Sequence, residues 1–172
     1  MKLERALHPL RHVAVRRRLA STARPRRILV VCNGNMCRSP YLEAALRRDL
    51  EDIEVTSAGF VGSGRAAPPI AIALGKQRGV DLSGHRSRLI SPPRIGAADL
   101  VIVMDPEQAR RVAISFGVDP KKIVIAPDLA PRFRTTRSIR DPWKQSMDGF
   151  LDSFDHLDSC AATLTDILGT RK

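Results

Sequence analysis

Cys32 and Arg38 flank Asn33-Gly34-Asn35-Met36-Cys37, and Ser39-Pro40 follows. A thiol beside a tight loop and a guanidinium is equipped to capture an oxyanion and attack it. Gly34 tolerates positive φ, and Asn35 visits the left-handed region more readily than most residues, so both let a loop curl around an anion. Ser39 reads as a helix N-cap and Pro40 as the first helical residue. The backbone N–H groups before them would then face an anion at the positive end of the helix dipole. The Arg38 fork can hold two phosphate oxygens. A thiol near a helix N-terminus and an arginine ionises more readily than a free one. Cys32 is therefore the candidate nucleophile, with Ser39 as a hydrogen-bond donor to it. A thiolate in a phosphate cradle implies a phosphocysteine intermediate. A cysteine and an arginine at this spacing recur by chance; the whole string, between a strand and a helix, is far more specific.

The elements that must position these residues alternate along the chain. Ile28–Cys32 is an apolar run suited to a buried parallel strand. Further strands are expected at Ile53–Ser57, Leu100–Met104 and Lys122–Ile125. Helices are expected at Pro40–Leu50, Pro69–Arg78 and Glu107–Phe116, with a long amphipathic helix through Phe150, Phe154, Leu157, Leu164 and Leu168. Such alternation implies an α/β domain, its parallel sheet covered on both faces and its ligand beyond the C-terminal strand ends. At 172 residues the chain fits one domain. Its three cysteines, two of them in the loop, are no disulfide framework, and a free nucleophilic thiol suits the reducing cytoplasm.

Charge divides the chain in two. Residues 1–27 hold nine Lys/Arg and one Glu, net +8, and the remaining 145 residues carry only +3. The expectation is a basic extension over 1–27, disordered or loosely packed, and a catalytic domain over 28–172. Pro9 interrupts the short apolar stripe of Leu3, Leu7 and Leu10. The alternative role for this arm is peripheral contact with an anionic surface. Without aromatic residues for base stacking it is poorly suited to single-stranded nucleic acid, and no nucleic-acid partner is expected.

Cleavage of a phosphate ester also needs a proton for the departing oxygen, which a carboxylic acid can supply. Three Asp-Pro pairs compete: Asp105-Pro106, Asp119-Pro120 and Asp141-Pro142. The first suits an N-cap, the second a turn, and the third lies in a long loop beside Trp143. Trp143 could wall the entrance and stack on an aromatic ring. Arg132, Arg134, Arg137 and Arg140 precede Asp141, either as a solvated basic loop or as a reader of acidic flanks around a phosphorylated site. Cys37 could pair reversibly with Cys32 and protect it from over-oxidation, or be a small apolar helix-start residue. Cys160 reads as core.

Val31 to Pro40 resembles the phosphate-binding loop of the low-molecular-weight protein tyrosine phosphatases. The likeness continues through Thr56–Gly59, Gly79–Arg88 and Ala98–Asp105 to Asp141-Pro142-Trp143, covering roughly residues 27 to 169. It implies a single three-layer domain on a four-stranded, flavodoxin-like sheet, and hydrolysis of protein phosphotyrosine without metal or cofactor. It implies Cys32 and Arg38 as catalytic, Asp141 as the general acid, and Asn33, Gly34, Asn35, Met36, Cys37 and Ser39 as the loop. Ser57 and His85 would hydrogen-bond Asn35 and hold that loop in shape. The resemblance also implies the Cys32–Cys37 redox pairing. Its substrate would be a tyrosine-phosphorylated protein, on the bacterial pattern a tyrosine kinase.

The chain departs from the family at the opposite wall, where Phe60 is the only aromatic in the stretch after Gly59. Phe60 either reaches the pocket or fills the core. Two enzymes of similar fold compete: an arsenate reductase, which needs two downstream cysteines absent between Cys37 and Cys160, and a protein-arginine phosphatase, which carries threonine where this loop has Met36. A non-catalytic phosphate- or polyanion-binding protein is the reading from another class.

Overall fold

The computed structural model describes residues 2–132 and 136–169. Four strands form one parallel sheet: β1 (Arg27–Cys32), β2 (Glu54–Gly59), β3 (Leu100–Val103) and β4 (Ile123–Ile125), in the order β2-β1-β3-β4. Between them run α2 (Arg38–Asp49), α3 (Pro69–Gln77), the short α4 (Pro92–Gly96) and α5 (Pro106–Phe116). The chain begins with α1 (Lys2–Ser21), and its last described helix is α6 (Met147–Gly169).

Alternation within β1 builds both faces. Ile28, Val30 and Cys32 join the larger core, with Tyr41, Leu46, Phe154 and Leu164. Leu29 and Val31 join the smaller one, with Val101, Val103, Val112 and Ile95. Cys32, the last residue of β1, thus ends on the face covered by α2 and α6. Tyr41 locks these helices together: its ring stacks on Phe154 at 3.9 Å and its hydroxyl donates to Asp158 at 2.6 Å. The architecture is the expected single α/β domain, with element ends shifted by one to three residues.

The N-terminal segment differs from the expectation of a loose extension. Residues 2–21 form a helix that continues through Pro9 and buries His8, Val15 and Leu19. Proline inside a helix removes one backbone bond, so tertiary contacts must compensate. Four of the nine arm cations reach the rest of the chain: Arg16 pairs with Asp166, Arg24 with Asp52 and Arg27 with Glu54, while Arg18 donates to the Ile123 carbonyl at 2.8 Å; Arg11 pairs with Glu4 within α1. Among the described residues, no helix is long and apolar enough to cross a membrane.

Candidate active site

The loop between β1 and α2 wraps around the Cys32 sulfur. The Asn35 N–H donates to Cys32 Sγ at 3.2 Å and the Ser39 hydroxyl donates at 3.1 Å. Ser39 is therefore not the N-cap. Cys37 occupies that position without a side-chain cap, and α2 starts at Arg38. The Ser39 oxygen turns inward to the sulfur instead, leaving first-turn N–H groups without a side-chain acceptor at the cap. The left-handed residue is Asn35, at φ 50°, while Gly34 stays outside that region.

A buried network holds Asn35 in this conformation. Its Nδ2 donates to Ser39 Oγ at 2.9 Å and to Ser57 Oγ at 2.7 Å. Its Oδ1 accepts from the Arg88 N–H at 2.7 Å, which fixes the amide orientation. Its carbonyl accepts from His85 Nε2 at 2.7 Å. Burial pushes His85 below the ordinary histidine range, with the Asn35 carbonyl bond opposing, so the neutral ring is favoured. The Ser57 hydroxyl in turn donates to Glu43 Oε2 at 2.5 Å, and Glu43 also meets Arg88 at 3.3 Å. Polarity is thus set along the chain: both serine oxygens accept from Asn35, and the Ser39 proton is left for sulfur. Glu43 and Arg88 were not singled out from the sequence. The available signal was an acidic residue on the buried side of α2, one turn after Ser39. Gly59 completes the support by close approach, since a Cβ there would lie 2.8 Å from Asn33 O and Asn35 N.

Above the loop lies a cleft of about 120 Å³, lined by Cys32, Asn33, Gly34, Met36, Cys37, Arg38, Val61, Arg65, Asp141 and Trp143. Arg38 is buried; its Nη1 donates to the Ile139 carbonyl at 3.1 Å and its Nη2 meets Asp141 Oδ2 at 2.5 Å. Asp141 also accepts from the Trp143 N–H at 3.2 Å. The other two Asp-Pro carboxylates are engaged locally: Asp105 caps α5 by accepting from the Gln108 N–H, and Asp119 accepts from the Lys121 N–H. Cys37 is buried, and its thiol is pushed up to about 12 by desolvation, with Asp141 and Cys32 adding to the rise.

Phe60 does not line the cleft. Its ring packs against the smaller core, with the Arg111 guanidinium 4.1 Å from its centroid. The N–H groups of Phe60 and Val61 donate to the carbonyls of Cys32 and Asn33. Val61 thus stands in the wall while Phe60, its neighbour, turns to the smaller core. Arg65 stands in the wall as well, its Nη2 donating to the carbonyls of Gly34 and Val61. In the basic stretch before Asp141, Arg137 binds the Asp128 carboxylate and Arg140 reaches Gln145, so these two are not simply solvated; Arg134 lies outside the described residues. Cys160 is buried and donates to the Ala126 carbonyl.

A strand-end thiol among inward donors, with an arginine and an aspartate in the same cleft, is an arrangement suited to holding a phosphate group and attacking it. Residues 27–172 match the family described as low molecular weight phosphotyrosine protein phosphatase, and this chain belongs to that family. A probable low molecular weight protein-tyrosine-phosphatase, EpsP of Ralstonia solanacearum, is 42% identical over 127 residues, 73% of this chain and 84% of EpsP. Etp of Escherichia coli K12, also a low molecular weight protein-tyrosine-phosphatase, is 34% identical over 125 residues, 72% of this chain and 81% of its own. Among solved structures, the tyrosine phosphatase amsI of Erwinia amylovora superposes with a TM-score of 0.77 at 27% identity, over 85% of this chain and 95% of amsI. The YwlE arginine phosphatase of Geobacillus stearothermophilus superposes with a TM-score of 0.76 at 28% identity, over 85% and 94%.

Proposed function

We propose that this protein hydrolyses phosphotyrosine in proteins through a phosphocysteine intermediate. The observation that carries the reading is the convergence on one sulfur: two donors point at Cys32 Sγ, and Arg38 and Asp141 share its cleft. The Cys32 thiolate attacks phosphorus while Arg38 and loop N–H groups hold the equatorial oxygens. The bond from phosphorus to the tyrosine oxygen breaks, and that oxygen takes the proton of Asp141. A water then attacks phosphorus, the P–S bond breaks, and the Asp141 carboxylate receives the water proton. Phosphate leaves, and the thiolate is restored.

Met36, Val61 and Trp143 give the cleft an apolar wall suited to an aryl ring. The likeness to YwlE motivates a second reading, phosphoarginine as substrate. The physiological substrate of the first reading is a tyrosine-phosphorylated protein such as a bacterial tyrosine kinase, acted on in the cytoplasm. Cys37, free and lining the same cleft, is the candidate partner for a Cys32 sulfenic acid. Condensation would release water and form a disulfide that a thiol reductant opens. Loss of reductant-reversible recovery after peroxide in Cys37→Ser is the expected sign of that role.

The deciding experiment measures phosphate release from phosphotyrosine and phosphoarginine peptides by the reduced protein, beside Cys32→Ser. Release from phosphotyrosine that falls to background in the variant supports the proposal. A clear preference for phosphoarginine would replace the substrate, and release that survives Cys32→Ser would remove the nucleophile.

A further inference from the structure

Helix α1 lies outside the segment that matches the family, yet its contacts run toward the loop that carries Asp141. His8 is buried, and its Nε2 donates to the Ala130 carbonyl at 3.0 Å. One turn on, His12 Nδ1 donates to the Asp128 carbonyl at 3.1 Å. Asp128, itself buried, grips Arg137 with both carboxylate oxygens, at 2.9 and 2.6 Å. Two residues later the Ile139 N–H donates to the Met104 carbonyl at 2.9 Å, and the Ile139 carbonyl accepts from Arg38. Two residues beyond that stands Asp141. A continuous set of hydrogen bonds thus joins α1, the segment after β4 and the acid loop.

We propose that His8 and His12 are positioning residues for the general acid: through the Asp128–Arg137 pair they fix the backbone from which Asp141 reaches the leaving oxygen. The inference rests on Asp141 being that acid. Its physical basis is a change of partners during the reaction. Before substrate binds, Asp141 is held by Arg38. A phosphate dianion in the cradle claims the Arg38 fork, and the half-exposed carboxyl then depends on its backbone anchors. Those anchors are Ile139, tied to β3, and Arg137, tied through Asp128 to α1. A misplacement of about 1 Å at a reacting group can cost roughly a hundredfold in rate, so small slack in these anchors is enough to matter. The dependence is confined to the step that needs a proton.

That confinement makes the test specific. kcat/KM is measured for two aryl phosphates, one with a poor leaving group and one with an activated leaving group that departs without protonation. In His8→Leu/His12→Leu we expect about a tenfold loss with the poor leaving group and less than about twofold with the activated one. His8→Gln/His12→Asn, which restores an N–H near each lost donor, is expected to recover most of the loss. In an Asp141→Asn background the leucine pair is expected to add nothing. Equal losses on both substrates, an undiminished loss in Asp141→Asn, or no loss on either substrate would each overturn the proposal. If the leucine pair does not fold, Arg137→Lys is read in the same way, since it leaves α1 intact and removes only the two-pronged grip on Asp128. Asp141→Asn by itself separates the two levels. Without its own leaving-group dependence the reading of Asp141 as acid fails and takes this inference with it. With that dependence, only the α1 variants decide.

Discussion

The two sides of the cleft are built on opposite principles. The phosphate loop is densely bonded around buried Cys32, Asn35 and Ser39: Asn35 alone donates through Nδ2 to two serines, donates its N–H to Cys32, and accepts from Arg88 and His85. The acid loop meets the cleft through Asp141 and Trp143, whose side chain and residue are 46% and 44% exposed. A cradle that must present donors to a developing charge gains from having no freedom to reorganise. On the proposed mechanism Asp141 delivers a proton, retrieves another and lets the product out, and a group with those tasks gains from a looser hold. The two sides meet in the Arg38–Asp141 pair, which joins one loop's cation to the other's carboxylate.

Variants can break each side separately. The largest effect among them is expected from Arg38→Lys. An ammonium keeps the charge and loses the planar fork, so kcat/KM on any aryl phosphate should fall about a hundredfold or more, whatever the leaving group. Retention of near-normal rates would show that the backbone cradle suffices. On the opposite side, Asp141→Asn should lower kcat/KM by about a hundredfold with a poor leaving group and far less with an activated one. A uniform loss would mean the carboxylate serves Arg38 rather than the leaving oxygen.

Smaller effects test the support beneath the loop. Ser57→Ala removes the acceptor for Asn35 Nδ2 and the donor to buried Glu43. Leaving such groups unpaired costs about 1–3 kcal/mol, so the urea midpoint should drop and activity fall with it. An unchanged midpoint with unchanged activity would show that the network is dispensable. The smallest effect concerns pH. Because burial lowers His85 in the folded protein, the unfolded chain binds the proton more readily. The stability tied to the neutral ring is complete above about pH 6.5 and declines as pH falls toward the folded value. Urea midpoints between pH 7.5 and 5.5 should therefore fall more steeply for wild type than for His85→Gln. Equal slopes would remove His85 from the account.

The legibility of the sequence follows the same division. From Cys32 to Ser39 the candidate nucleophile, the loop amides, the arginine and the serine lie within eight consecutive residues. Local geometry and the flanking strand and helix patterns were enough to bring them together. The strand and helix alternation likewise foretold a parallel sheet covered on both faces, because the periods of apolar residues are local signals. Of the two roles read for Ser39, the structure keeps the hydrogen bond to sulfur and gives the cap position to Cys37, since capping propensity does not register what else a hydroxyl can face.

What only the tertiary structure decided was everything joined across long stretches of chain. Phe60 and Val61 are neighbours with opposite fates, settled by the register in which their amides meet the carbonyls of Cys32 and Asn33. Glu43 and Arg88 became partners because α2 and the segment after His85 pack against one another around Asn35. The basic N-terminal segment read as loose because its helical stripe is weak and broken by proline. It folds against the domain because the carbonyls of Ile123, Asp128 and Ala130 are accessible to Arg18, His12 and His8. Hydrogen-bond acceptors exposed by folding at one end of a chain leave no pattern in the residues at the other.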